Sequence, residues 1–300
     1  MRWLNIYLLS KKLLKIIKKI LKNYSFKKKE IYLAELDRDK DFIIESLQQE
    51  LILGIDTEFD WRNTYLPKLS LLQIATQKKI LLIDCLKCET ANYLKEILED
   101  KKKLIIFHSS RSDTTVLFTN LNIKIGNIFD IQIAEKNISG GDIQNYAALV
   151  KKYFYINLKK TETNSNWLKR PFSNEQLSYA ADDVNFLLEI YKKQLKILKK
   201  NNLYNKSIDE SRRESHLGNQ DLHVSRLKKL RKPSKIEKSI FLWREKYAKK
   251  LNIPTSYIFK NKDLKKLALL FNYQEIDQNK ISDFLKKNIY AEDLIEHLKN

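Results

Sequence analysis

The amino-acid sequence predicts an α/β chain in which a mixed-sheet domain is followed by a small all-helical one. Three observations carry that expectation. Short β-rich runs joined by brief polar links lie between Leu51 and Ile83; apolar runs then alternate with helical periods; beyond Pro233 the periodicity is wholly helical. A length of 300 residues exceeds the roughly 100 to 200 residues of one domain. With 5 Gly and 4 Pro there is little room for long low-complexity linkers.

Taken in order, Leu8 to Lys22 repeats apolar residues at three- and four-residue spacing with lysines between, the pattern of a cationic amphipathic helix. Lysines interrupt each apolar run well short of the ~18 residues a membrane span needs. The segment reads as a basic helix docked on the core or tethered to it; contact with RNA or a membrane surface, or an organelle presequence, are the other readings. Leu51 to Phe59, Leu69 to Ile74 and Ile80 to Ile83 suit three strands in an antiparallel meander. A helix fits Thr90 to Glu99, a buried strand Leu104 to Phe107, a helix follows Ser112, and a short strand fits Asn127 to Ile131. One long helix is expected from Asn174 to Lys200, announced by Ser173 and Gln176 at capping-box spacing. Its apolar stripe runs through Leu177, Ala180, Val184, Leu187 and Tyr191. The basic run Arg226 to Pro233 marks a domain boundary, and Ile236 to Leu251 is the clearest helix after it.

A formal net charge of +20 points to a polyanionic partner, because Lys and Arg that neutralise phosphates release condensed counterions. The charge is uneven: ten basic and one acidic residue in 1–30, 25 against 23 in 31–205, and 22 against 13 in 206–300. Basic flanks therefore bracket a nearly neutral centre. Cys85 and Cys88 are too few for a disulfide framework, and with no secretory pattern before them a cytoplasmic location is expected. Their spacing is that of zinc or redox pairs, but no second ligand pair lies nearby, so two thiols in an ordinary loop is the simpler reading.

Asp56 and Glu58 stand two apart on an expected strand and so share one face of the sheet, which is costly without a compensating cation. If the strand instead ended at Gly54, they would be solvated loop acids. Asp113 falls where the Leu104 to Phe107 strand gives way to a helix, a common place for sites in open α/β sheets; stabilising the helix dipole explains it equally well. Tyr179 and Asp183 are one helical turn apart, whereas Asp182 is rotated away by about 100°. Alone, such a pair reads as a structural hydrogen bond. Together, four carboxylates from one strand and two helices would supply hard oxygen ligands for two divalent cations about a phosphodiester, with the tyrosine orienting the attacking water.

These residues resemble the ribonuclease D family, in the tyrosine-bearing subclass of the DEDD exonucleases. The resemblance rests on Asp56-Thr57-Glu58-Phe59 with Thr64 to Ile74, on His108-Ser109-Ser110-Arg111-Ser112-Asp113, and on Tyr179-Ala180-Ala181-Asp182-Asp183 preceded by Trp167-Leu168-Lys169-Arg170-Pro171. It implies a ribonuclease H-like fold, two Mg²⁺ or Mn²⁺ ions, and release of nucleoside 5′-monophosphates from RNA 3′ ends, tRNA precursors among them. By motif position Asp56, Glu58, Asp113 and Asp183 carry over as metal ligands and Tyr179 as the water-positioning residue; Asp182 does not. Residues 240–248 with Asn252-Ile253-Pro254 resemble the start of an HRDC domain, a helical nucleic-acid-binding module. The expected organisation is a basic extension (1–30), an exonuclease domain (31–205), a basic helical linker (206–233) and an HRDC-like domain (234–300). A DNA-directed exonuclease of the same chemistry and a non-catalytic nucleic-acid-binding protein are the alternative functions.

Overall fold

A computed structural model of the chain describes residues 29–35, 37–86, 92–158, 161–271, 277–285 and 288–299. The amphipathic stretch Leu8 to Lys22, Cys88 and the expected start of a helix at Thr90 lie outside these residues.

Six strands form one mixed sheet: β1 (Glu30–Glu35), β2 (Ile52–Asp60), β3 (Lys68–Ala75), β4 (Lys79–Asp84), β5 (Leu104–Phe107) and β6 (Ile128–Asp130). Their spatial order is β1-β4-β3-β2-β5-β6. The expected meander is present, with β3 antiparallel to both β2 and β4. β1, β5 and β6 join in parallel, as the intervening helices require. The edge strand β1 was not foreseen. Its Ile31 and Leu33 are about half exposed, so it lacks the buried-strand pattern that identifies the others.

Between and after the strands lie α1 (Lys40–Leu47), α2 (Asn92–Leu98), α3 (Arg111–Leu121), α4 (Ile131–Ser139), α5 (Tyr146–Phe154), α6 (Asn174–Asn185), α7 (Leu187–Lys200) and α8 (Tyr204–Gly218). The alternation of side chains along the strands divides the core in two. Leu53, Ile55, Leu72, Ile74, Leu81 and Ile105 pack with Leu94 and Val116 of α2 and α3. Leu71, Leu82, Ile106 and Phe129 pack with Ala134, Ala180, Leu187 and Leu188 from α4, α6 and α7. The sheet is thus sandwiched between two helical layers, the ribonuclease H-like arrangement expected.

Two local expectations are corrected. The strand at Asn127 to Ile131 ends at Asp130, whose carboxylate accepts the Gln132 N–H at 2.9 Å and starts α4 at Ile131. The helix from Asn174 to Lys200 begins with the predicted capping box but breaks at Phe186. Residues 204–218, most of them within the stretch expected as a basic helical linker, form α8, which packs on α3 and β6.

After α9 (Leu222–Leu227), the chain continues into α10 (Lys235–Leu251), two 3₁₀ turns, α11 (Leu264–Leu270), α12 (Gln278–Ser282) and α13 (Asn288–Lys299). Ser234 and Glu237 cap α10 reciprocally. This bundle has its own core of Ile240, Phe241, Trp243, Leu267 and Leu294, and that core also takes in Tyr65 from the loop after β2. The Tyr65 hydroxyl donates to Glu245 at 2.9 Å, and the Asn252 side chain accepts the Tyr65 N–H at 3.2 Å. Glu245, 2% exposed, also accepts from Arg226 at 2.8 Å and pairs with Arg244 at 3.4 Å.

Removing one partner of a buried ion pair strands the other charge, at about 3–5 kcal/mol. Glu245→Ala leaves Arg244, 1% exposed, without its carboxylate. The expected outcome is a fall in urea midpoint equivalent to about 3 kcal/mol or more; an unchanged midpoint with an unchanged slope would refute this account of the junction.

Candidate active site

Gly54, Asp56 and Glu58 project from β2 toward α6 and α7, as the period of two dictates. Gly54 is required by close approach: a Cβ there would lie 2.8 Å from Leu188 Cδ1 and 3.0 Å from Leu187 Cβ. The helix can therefore come down onto the strand that carries the acids. A register shift between Glu58 and Phe59 leaves Ser70 of β3 as the extra residue, a bulge beside the acids. Its hydroxyl bonds the Trp167 carbonyl.

From α6, Asp183 reaches the same point. Carboxylate oxygens of Asp56, Glu58 and Asp183 lie within 4.8 Å of one another, a spacing that suits a shared metal ion. Asp113 sits in the first turn of α3, 5% exposed, where its carboxylate accepts the Thr57 hydroxyl at 2.6 Å. Thr57 belongs to the opposite face of β2, so Asp113 approaches the cluster around the strand and stands beside the three, not among them. The turn that launches α3 is fixed from β6: the Asp130 carboxylate accepts the N–H groups of Ser109, which has φ +64°, and Ser110 at 3.0 and 2.7 Å. Behind α3, Gly218 of α8 lies so close that a Cβ would meet Thr114 Oγ1 at 2.0 Å.

Tyr179 stands one turn before Asp183, with its hydroxyl 3.3 Å from Thr163 Oγ1 and its ring 6.1 Å from that of Trp167. The Trp167 to Pro171 motif has a physical reason here. Arg170 makes two bonds of 2.6 and 2.7 Å to Asp84 at the end of β4 and donates to the Trp167 carbonyl at 2.7 Å, fixing a 3%-exposed indole beneath the tyrosine. Asp56, His108, Asn145, Tyr146, Tyr179 and Asp183 line a cleft of about 250 Å³.

Withdrawal from water and mutual repulsion set the electrostatics. Burial, then Asp113, Asp183 and Glu58, push the Asp56 carboxyl far above the usual range. Burial, then Asp183 and Asp113, lift Glu58 to about 9. Asp113 rises to about 7 through burial, partly offset by the Thr57 hydrogen bond. The Tyr179 phenol is pushed up by burial and by Asp183, so it is neutral at ordinary pH. Across the ladder from Asp56, buried Gln73 has no partner for either atom of its carboxamide. Repelling hard oxygen donors beside an unsatisfied amide are the donor set of a divalent cation, which would offset charge that partial burial leaves poorly hydrated.

Sequence reasoning missed Thr57, Asp130 and Tyr146. Asp130 was legible in principle, as an N-cap type between an apolar run and a helical period. The other two depend on contacts between distant segments.

A family model described as 3′-5′ exonuclease matches residues 36–199. A ribonuclease D of Desulfotalea psychrophila is 29% identical over 260 residues, covering 81% of this chain and 67% of the relative. One from Xanthomonas oryzae pv. oryzae is 33% identical over 224 residues, covering 72% and 62%. The chain therefore spans about two thirds or less of the length of these curated relatives. The crystal structure of Escherichia coli RNase D superposes with a TM-score of 0.77 at 22% identity, covering 90% of this chain and 74% of that one, which shows the shared fold. The matching family model and the shared fold define a 3′-5′ exonuclease domain. The chain belongs to the ribonuclease D family.

A carboxylate whose folded value lies above its unfolded one, about 4.3 for Glu, binds its proton more tightly when folded. Stability then falls as pH rises between the two values. With chelator present, the protein is expected to melt at progressively lower temperature from pH 5 to pH 9. Glu58→Gln should flatten that decline, and Mn²⁺ should restore the wild-type protein but not the variant. Parallel melting curves for the two proteins across this range would contradict the assignment.

Proposed function

We propose that this chain is a 3′-5′ exoribonuclease that trims RNA 3′ ends, tRNA precursors among its substrates, by metal-dependent hydrolysis. The observation that carries the reading is the three-carboxylate cluster at a cleft that Tyr179 also lines. Asp56, Glu58 and Asp183 would hold the cations, with Asp113 completing the set from behind Thr57. Two bound Mg²⁺ or Mn²⁺ ions would supply activation of water and stabilisation of the departing 3′ oxygen.

The chain's own residues then do three things. The carboxylates fix where the scissile phosphate sits. Tyr179, kept protonated and held between Thr163 and the Trp167 ring, can orient a water through its hydroxyl without acting as a base. The floor built by Trp167, Arg170 and Asp84 keeps that hydroxyl in place. Basic flanks would collect the polyanion, and the helical bundle from Ser234 onward, with the HRDC-like sequence, suits a nucleic-acid-binding module. We divide the chain accordingly into an extension (1–30), the exonuclease domain (31–205), a connecting segment (206–233) whose helix α8 braces α3, and the HRDC-like domain (234–300). A cytoplasmic site of action fits the cysteine usage, and no helix among the described residues is long and apolar enough to cross a membrane.

With Mg²⁺, a 5′-labelled RNA is expected to shorten from its 3′ end with release of nucleoside 5′-monophosphates. Asp56→Ala should abolish this. Tyr179→Phe should lower kcat on the order of a hundredfold, the scale of a misplaced reactant, with KM little changed. A matched DNA oligonucleotide in competition decides the sugar preference: faster cleavage of DNA would overturn the RNA assignment. Salt-sensitive binding without turnover would overturn the catalytic one.

A further inference from the structure

The helix that carries Tyr179 and Asp183 is interrupted by Tyr146. Nothing in Asp183-Val184-Asn185-Phe186-Leu187-Leu188 breaks a helix by its own chemistry, since the stretch has neither proline nor glycine. Sharp breaks otherwise arise where a foreign group enters the ladder of i to i−4 hydrogen bonds. That is the case here. An uninterrupted helix would join the Phe186 N–H to the Asp182 carbonyl. Instead the Phe186 N–H donates to the Tyr146 hydroxyl at 3.1 Å, and that hydroxyl donates to the Asp182 carbonyl, also at 3.1 Å. The phenol stands in for one helical hydrogen bond.

Two further contacts hold the arrangement. The Tyr146 ring, at the first residue of α5, meets the His108 ring edge-on at 5.7 Å. Beside the break the carbonyl of Asn185 accepts the ammonium of Lys29 at 2.9 Å, and Lys29 is only 8% exposed. Groups from two distant segments thus close the gap on either side.

The break separates two tasks. α6 lies against β2, β3 and β4 and presents Tyr179 and Asp183 to the cleft; α7 lies on β2 and β5, with Leu187 and Leu188 over Gly54, and packs along α4. Asp183 is the residue after the carbonyl that Tyr146 grips, so its approach to Asp56 and Glu58 is set within one peptide unit of the inserted hydroxyl. We propose that the Tyr146 hydroxyl, seconded by the Lys29 ammonium, is a positioning device that holds the helix broken at Phe186 and thereby aims Asp183 into the carboxylate cluster. The inference rests on Asp183 being a metal ligand.

Tyr146→Phe keeps the ring against His108 and removes only the inserted oxygen, which would let Phe186 N–H return to Asp182. Mn²⁺ titration by calorimetry, without substrate and at a temperature where circular dichroism shows each protein fully folded, reads the effect directly. Loss of a group that orients a ligand weakens metal affinity roughly ten- to a hundredfold, and that is the expected result. kcat should fall in step while KM for a short RNA stays near wild type. Wild-type Mn²⁺ affinity in Tyr146→Phe would overturn the proposal. If that variant does not fold, Lys29→Met removes the other strap and should weaken Mn²⁺ binding more modestly; unchanged affinity there would overturn it equally. Asp183→Asn serves as the reference. Should it bind Mn²⁺ like wild type, the metal reading itself fails, whereas loss of binding in Asp183→Asn with none in Tyr146→Phe defeats only the role given to Tyr146.

Discussion

Mutual repulsion among carboxylates at the end of β2 is the constraint around which the rest of the domain is arranged. Asp56, Glu58 and Asp183 bring like charges within 4.8 Å in a partly desolvated setting, and burial plus their own fields push the first two far from their ordinary titration range. Left to itself such a cluster would spread apart or stay protonated. The fold prevents spreading by fixing each contributor through its backbone: β2 is a central strand bonded on both sides, α6 is seated by a capping box, and α3 is tied to β6 through Asp130. What remains is to hold protons or to exchange them for a cation, and a cation can answer all three carboxylates at once. Conformational rigidity thus becomes metal affinity, because a site that cannot relax keeps its full electrostatic demand until a cation answers it.

The same logic explains why small residues stand where they do. Gly54 lets Leu187 and Leu188 descend onto β2, and Gly218 lets α8 press on the first turn of α3. Gly54 thereby sets how near α7 lies to the strand of Asp56 and Glu58, and Gly218 sets how near α8 lies to the helix that carries Asp113. The loop after β2 is similarly built into the C-terminal bundle through Tyr65 and the buried Glu245 network. That bundle is therefore not merely appended: the strand presenting Asp56 and Glu58 runs directly into a segment that the bundle holds.

Much of this was legible in the sequence, and what was not has a consistent cause. β2 to β5 carry apolar alternation or continuous apolar runs, so their period declares them. β1 does not, because an edge strand with four exposed residues has no buried face to write into its pattern. Spacing put Asp56 and Glu58 on one sheet face and Tyr179 and Asp183 on one helical face, but each motif alone left its role open; only taken together did they suggest one site. Their surroundings were not legible. Thr57 lies on the far face of β2, and its bond to Asp113 spans 56 positions; Tyr146 acts on a carbonyl 36 positions away. Local periodicity cannot encode such pairings.

The break at Phe186 shows where that limit bites hardest. Propensity, the capping box and the apolar stripe from Leu177 to Tyr191 all favour one continuous helix, and tertiary structure overrides them by a single inserted hydroxyl. Such an override trades a helical hydrogen bond for two bonds to a phenol, so its net stabilisation is small, on the order of one hydrogen bond at about 1 kcal/mol. An arrangement that adds so little stability yet needs two distant straps is easier to understand through what it positions. With the helix broken, Asp183 answers to β2 while Leu187 and Leu188 answer to Gly54; in one straight rod a single rigid orientation would have to satisfy both.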